Sequence, residues 1–188
     1  GVGKFGGSGE NALARIMGEI SLRLPVFSNF TCKRAVFQED ATRFAQSARA
    51  RFSQLDVAYF DPPYNQHPYG SNYFMLNLIA DFINEGKRPN AAGLSRVSGI
   101  PADWNRSAYN KKSSAAEEFF ALLAEFPAKF LIISFNSEGF ISKAEFLKNL
   151  AHIGSVRTIE IRYPTYRASR NLSARELYVT EFLYVVQK

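Results

Sequence analysis

Asp61-Pro62-Pro63-Tyr64 places an acid, two prolines and a flat ring directly after the apolar run 57–60. Proline has no N–H to donate to a sheet ladder and its ring fixes φ, so the backbone should leave the sheet here in one stiff conformation. The acid and the ring would then be held at the carboxyl end of a strand, where open α/β sheets bind their ligands. The spacing therefore predicts a ligand site. The alternative is a proline-rich turn in which Asp61 caps the following loop.

These residue types suit the recognition of an amine attached to a planar ring. An ionised carboxylate at Asp61 is a strong hydrogen-bond acceptor, and the carbonyl of Pro62 is a second one because Pro63 brings no amide proton beside it. Tyr64 offers a face on which a base can stack, with a contribution of about 1–3 kcal/mol. Hydrogen bonds accepted from an exocyclic amine push its nitrogen towards a pyramidal nucleophile. In this role Asp61 accepts and orients, and it does not act as a strong base.

Hydrophobic periodicity predicts the elements that position this stretch. Strands are predicted at 35–38, 55–60, 130–135, 156–163 and 177–186, and helices at 10–20, 40–52, 72–84, 113–126 and 142–150. The nearly continuous apolar run 130–135 suits a central strand buried on both faces. The alternation of Thr158, Glu160 and Arg162 indicates a half-exposed antiparallel edge pair at the end of the chain. The order predicts an α/β sheet, parallel at first, with an antiparallel terminal hairpin.

Length and composition set the remaining bounds. The 188 residues fit one domain, 1–188, with a lead-in segment at 1–30 and a long loop at 86–112. A net charge of +6 and a pI near 9.5 favour an anionic partner. One cysteine, Cys32, and two histidines give no basis for a disulfide or a metal site, and Cys32 is expected to be buried. Without a signal peptide or an apolar run of about 20 residues, a cytoplasmic protein with no membrane partner is expected.

The stretch DVAYFDPPYNQHPYGSNYFMLNLI, residues 56–79, resembles the adenine-specific DNA methyltransferases of the DPPY type. VFQEDA, residues 36–41, is similar to the family's strand whose acid contacts the adenine of the methyl donor. LIISFNSEG, residues 131–139, is similar to the strand and loop beside the target-base pocket. RNLSARELYVTEFLYV, residues 170–185, is similar to the hairpin that flanks the flipped base. The resemblance covers most of residues 30–188.

The resemblance implies a Rossmann-like, S-adenosylmethionine-dependent methyltransferase sheet. It also implies methylation of the exocyclic amine of adenine in double-stranded DNA after base flipping, in a restriction–modification system with a cognate restriction endonuclease. The catalytic residues that it implies are Asp61, Pro62, Pro63 and Tyr64. The implied donor-binding residues are Asp40, Ala41, Phe60 and Asp61.

The residues expected to contact DNA are Tyr69, Asn72, Tyr73, Arg162, Arg167 and Arg170. More than one interpretation stays open for several of them: Tyr73 could be a core residue, and the arginines could form an ordinary basic hairpin surface. Asp40 could be the N-cap of the following helix, or a ligand-binding acid, or both.

The departure from the family lies at the start of the chain. Residues 5–9, FGGSG, match the F-x-G-x-G pattern of the donor loop, but no strand precedes them. If they form a linker, the chain is the carboxyl-terminal part of a methyltransferase and needs an upstream chain or segment to hold S-adenosylmethionine. The chain as a whole is also compatible with a non-catalytic DNA-binding fragment, or with a methyltransferase that acts on amines of RNA or protein.

Overall fold

The structure is a computed structural model that describes residues 21, 23–66, 68–86, 93–95, 100, 104, 107–165 and 176–188. The chain divides into two compact units. The smaller unit comprises Gly1–Gln38 and Pro164–Tyr178, and the larger one comprises Glu39–Tyr163 and Val179–Lys188. The predicted helix at 10–20 and the glycine-rich residues 5–9 lie outside the described residues.

One mixed sheet of four strands organises the described fold. The strands are β1 (Leu55–Phe60), β2 (Ala128–Asn136), β3 (Ser155–Pro164) and β4 (Tyr178–Gln187), in the order β1-β2-β4-β3. β1 pairs with β2 in parallel, from Leu55 opposite Ala128 to Phe60 opposite Ile133. β2 pairs with β4 antiparallel. The predicted α/β class, parallel at first and antiparallel at the end, is therefore confirmed. The last two strands of the chain form one end of the sheet, with β3 at its edge and β4 between β2 and β3.

Four of the described α-helices begin and end close to the predicted residues, and a short one at Tyr69–Asn72 was not predicted. The described helices are α1 (Ala41–Arg51), α2 (Tyr69–Asn72), α3 (Phe74–Glu85), α4 (Ala115–Glu125) and α5 (Lys143–Leu150), with a short 3-10 helix at Ala108–Asn110. Ser142 caps the amino end of α5, because its hydroxyl accepts a hydrogen bond from the Glu145 N–H. α3 ends at Gly86, which takes the left-handed conformation (φ 64°) that glycine adopts at low cost. None of the described helices has the length and apolarity to span a bilayer.

The core of the larger unit lies on one face of the sheet. Leu131, Ile133 and Tyr184 are fully buried there, under Leu123 of α4 and Phe146 of α5. Each such side chain contributes about 1.5–3 kcal/mol through burial. On the other face the pairing of β1 and β2 leaves Val57 53%, Tyr59 61% and Phe130 37% exposed. The prediction that β2 is buried on both faces is therefore wrong, because the helices that pack on it in the described core cover only one face.

The predicted strand at 35–38 is not formed. Residues 23–38 carry no strand or helix and are exposed, and Val36 is 95% exposed. A strand needs a neighbour for its ladder, and no strand of the described residues pairs with this segment. Cys32 is exposed as well, so the expectation of a buried cysteine is wrong.

Candidate active site

Asp61 begins the segment that leaves the sheet at the carboxyl end of β1. It is exposed, and within the described part of the chain its carboxylate makes no hydrogen bond or ion pair. A capping aspartate would accept an N–H from the following loop, as Asp40 does at α1. The structure therefore does not support a capping role for Asp61, whose two oxygens are available to a ligand.

Two hydrogen bonds from other elements fix the end of this segment. The Tyr64 carbonyl accepts the Phe140 N–H at 2.8 Å, and the Asn65 carbonyl accepts Nδ2 of Asn110, also at 2.8 Å. The ring of Tyr64 packs edge-on against Phe135, with 5.9 Å between ring centroids. The stiff backbone of the two prolines is thus held at its far end by both backbone and side-chain contacts.

The Tyr64 phenol is partly buried in this packing. Burial is the main cause that raises its pKa, and the negative charges of Glu181 and Asp61 raise it further. The ring therefore stays neutral at physiological pH. A neutral ring beside a carboxylate suits the stacking of a base whose amine reaches that carboxylate.

A cavity of about 370 Å³ opens beside the first half of the segment. Its volume lies within the range of small-molecule sites, and it combines apolar walls with acidic and hydroxyl groups. The sequence-predicted residues that line it are Asp40, Ala41, Phe60, Asp61, Pro62 and Pro63. All four predicted donor-binding residues and three of the four predicted catalytic residues thus lie around one cavity. Tyr64 lies beyond it, in a packed wall with Pro63 and Phe135.

Asp40 has a structural role that is independent of any ligand. Its Oδ1 accepts the N–H groups of Thr42 and Arg43, each at 3.1 Å, and so caps the amino end of α1. In the described residues Oδ2 makes no hydrogen bond. The residue also lines the cavity, so capping one element and facing a ligand are compatible at this position.

Several cavity residues were not predicted: Glu39, Tyr59, Ser107, Tyr109, Phe119 and Leu122. Tyr109 is buried in the 3-10 helix, and its hydroxyl lies 3.3 Å from Oγ1 of Thr42. Burial is the main cause that raises its pKa, against the opposing effect of the Thr42 hydrogen bond. Glu39 forms a salt bridge with Arg51. Nothing local in the sequence signals the contact between Tyr109 and Thr42, because it joins segments that are far apart in the chain.

Four of the residues predicted to contact DNA, namely Tyr69, Asn72, Tyr73 and Arg162, are described by the structure, and these four do not line the cavity. The rings of Tyr69 and Tyr73 are stacked 5.1 Å apart at the junction of α2 and α3, and both are exposed, which rules out a core position for Tyr73. Asn72 is exposed between them, and Arg162 is exposed on β3. Arg167 and Arg170 lie outside the described residues. No group of three or more His, Cys, Asp or Glu side chains in the described residues could hold a metal ion.

Comparison with known proteins gives a family match. The family described as D12 class N6 adenine-specific DNA methyltransferase matches residues 29–125. The type II methyltransferase M.CviAII of Paramecium bursaria Chlorella virus 1 is 30% identical over 171 residues, covering 87% of this chain and 49% of that protein. The type II methyltransferase M.NlaIII of Neisseria lactamica is 28% identical over 176 residues, covering 90% and 47%.

The modification methylase StsI of Streptococcus sanguinis is 29% identical over 168 residues, covering 87% of this chain and 23% of that protein. The chain thus spans about half the length of the first two relatives and about a quarter of the third. No solved structure gives a significant match.

Proposed function

Since the chain belongs to the D12 class N6 adenine-specific DNA methyltransferases, we propose that its cavity and its Asp61–Tyr64 segment methylate the exocyclic amine of adenine in DNA. The observation that carries this proposal is the position of Asp61. An exposed carboxylate with no partner in the described residues follows a parallel strand and faces the cavity that Asp40 also lines. The relatives are named as type II methyltransferases, which supports a place in a restriction–modification system with a cognate endonuclease.

The cavity fits S-adenosylmethionine, which supplies an activated methyl group when bound. Asp40, Ala41, Phe60 and Asp61, which all line the cavity, would hold the donor. Carboxylates suit a ligand with a sulfonium charge and amino groups, and the apolar walls suit its adenine ring. A Rossmann-like sheet is proposed on the same grounds, because the ligand would lie at the carboxyl ends of parallel strands.

The residues of the segment would act on the target base. A carboxylate oxygen of Asp61 and the carbonyl of Pro62 accept the two N–H groups of the amine, which localises the nitrogen lone pair towards the methyl group. Tyr64 stacks on the base after it has left the duplex, which offsets part of the cost of unstacking. The proton that the methylated amine releases can pass through the exposed Asp61 carboxylate to water. On the surface, Tyr69, Asn72, Tyr73 and Arg162 would contact the DNA.

The test compares Asp61→Ala with Asp56→Ala. Asp56 lies near the amino end of the same strand and is exposed, with Lys129 as its partner. Transfer of a labelled methyl group into unmethylated DNA is measured in the longest natural polypeptide that contains this chain. We expect Asp61→Ala to abolish transfer and leave DNA binding largely intact, and Asp56→Ala to change neither. Normal turnover by the Asp61 variant would reject the proposal. Label that enters RNA or protein in preference to DNA would show that the substrate is not DNA.

The chain covers only about half the length of the first two relatives, which supports a second proposal. In this proposal a further chain or segment helps to hold the donor. Residues 29–125 match the family, and the first two relatives are about twice as long as the matched part. Calorimetry with S-adenosylmethionine on the 188-residue chain tests this. No binding at millimolar donor would support a divided site or a DNA-binding fragment, and micromolar binding would show that the described cavity is sufficient.

A further inference from the structure

A polar network at the end of β2 has no part in the reaction steps described above. Asn136 is the last residue of β2 and is only 6% exposed. Its Nδ2 donates to Oε1 of Glu181 on β4 at 2.9 Å, and its Oδ1 accepts the Glu138 N–H at 2.7 Å. Buried polar groups need such partners, because an unpaired one keeps its full desolvation cost. The two bonds therefore specify how the chain leaves β2.

The turn 136–140 is held to β4 by further bonds. The Ser137 N–H donates to the Thr180 carbonyl at 2.9 Å, and the Thr180 N–H donates to the Ser137 hydroxyl at 3.0 Å. The Gly139 N–H donates back to the Asn136 carbonyl at 3.0 Å. A Cβ at Gly139 would overlap the ring of Phe135, so no larger residue fits there unless that ring moves. The turn thus has one well-defined conformation.

This turn is in direct contact with Tyr64. The Phe140 N–H donates to the Tyr64 carbonyl at 2.8 Å, and the Phe135 ring packs edge-on against the Tyr64 ring. A change in the turn therefore reaches both the backbone and the ring of Tyr64. Glu181 also lies close enough to affect the Tyr64 hydroxyl electrostatically, as one of the charges that raise its pKa.

We propose that Asn136 and Glu181 are positioning residues for Tyr64. Their hydrogen bond fixes the turn 136–140, and through Phe140 and Phe135 it fixes the ring on which the target base stacks. The inference rests on the proposed function, because a fixed ring position matters to turnover only if a base stacks there. Neither residue touches the base in this arrangement, and each acts through the turn.

A reversal of donor and acceptor tests the pair. Asn136→Asp places two carboxylates face to face and should break the contact, whereas Glu181→Gln in the same chain supplies an amide that can donate to the new carboxylate. A misplacement of about 1 Å can cost about 100-fold in rate, so Asn136→Asp should lower kcat for DNA methylation by about 10- to 100-fold. The double variant should return to within about twofold of Glu181→Gln alone. Affinity for S-adenosylmethionine should stay unchanged, because neither residue lines the cavity.

Asn149→Ala is the matched control. The Asn149 Nδ2 donates to the Glu145 carbonyl at 2.8 Å within α5, away from Tyr64, so its loss should leave kcat unchanged. A double variant that stays as slow as Asn136→Asp would overturn the proposal, as would an equal loss of kcat in Asn149→Ala.

Amide hydrogen exchange gives a readout that does not depend on activity. Exchange of the Phe140 N–H should become about tenfold faster or more in Asn136→Asp and should recover in the double variant. Unchanged exchange at Phe140 would overturn the positioning role whatever the activity. A wild-type protein that leaves DNA unmethylated would overturn the proposed function instead, so the two failures are distinguishable.

Discussion

Substitutions of Asp40 separate the two roles that the structure allows for this residue. Oδ1 of Asp40 caps α1 by accepting the N–H groups of Thr42 and Arg43, while the residue lines the cavity proposed for the donor. Alanine removes both the cap and Oδ2, the oxygen that would be left to accept a hydrogen bond from the donor. Asparagine keeps an oxygen for the cap, but then its NH2 group, which cannot accept a hydrogen bond, takes the place of Oδ2.

The two substitutions should therefore differ in stability and agree in ligand affinity. Asparagine and aspartate are comparable caps and alanine is a poor one, so Asp40→Ala should lower the free energy of unfolding by about 1 kcal/mol more than Asp40→Asn. For a chain of this length that difference is about 2–4 °C in Tm. A hydrogen bond to a charged group is worth about 1.5–3 kcal/mol, so both variants should bind S-adenosylmethionine about 10- to 100-fold more weakly.

Thermal unfolding without ligand and calorimetry with S-adenosylmethionine measure the two effects separately. They are best made on the longest natural polypeptide that carries this chain. An Asp40→Asn variant that binds the donor as tightly as wild type would show that Asp40 is only a cap. It would refute the idea that Oδ2 accepts a hydrogen bond from the donor. Equal stability of the alanine and asparagine variants would refute the capping role.

Two further predictions concern the core. Phe146 is fully buried, and its ring centroid lies 4.6 Å from that of Tyr184. Phe146→Ala should therefore lower the free energy of unfolding, measured in urea, by about 3–5 kcal/mol. Leu147 is exposed, so Leu147→Ala should lower it by less than about 1 kcal/mol. The Tyr184 hydroxyl is buried with no hydrogen-bond partner in the described residues, so Tyr184→Phe should leave stability at pH 7 unchanged or raise it. Burial, with a smaller effect of Glu160, raises the pKa of Tyr184 to about 12 from 10.0. Because the phenol ionises near pH 10 in the unfolded chain and only near pH 12 in the folded one, stability falls as the pH rises from 10 towards 12. Unfolding at pH 8 and 11 should therefore show a smaller loss of stability in Tyr184→Phe than in the wild type, and an equal loss in the variant would contradict this.

The part of the site that was predicted from the sequence depends on local rules. The run 57–60 followed by Pro62 and Pro63 specifies a strand and its end within a few residues, so the position of Asp61 follows directly. Asp40 follows in the same way, because a capping residue and a helix start are local features.

The parts that were missed depend on partners distant in the chain. Residues 35–38 have the composition of a strand. A strand also needs a neighbouring strand for its hydrogen bonds, and the local sequence does not show whether one is present. The apolar run of β2 indicates burial without telling how many faces are covered. Tyr109 joins the cavity through Thr42, a contact across residues that have no shared pattern. Local propensity cannot supply such pairings, since tertiary contacts decide them.

The parallel pairing of β1 with β2 also sets the order in which the site can assemble. In the described sheet β1 has one neighbour, and that neighbour begins at Ala128, long after Leu55 has left the ribosome. The Phe140 N–H that holds Tyr64 is synthesised later still. The entropy cost of closing such a long loop comes before the contacts that stabilise it, so parallel pairing is slow. During synthesis the Asp61–Tyr64 segment therefore stays unanchored until residues 128–140 have been made, so the carboxyl end of β1 cannot become ordered as soon as it emerges.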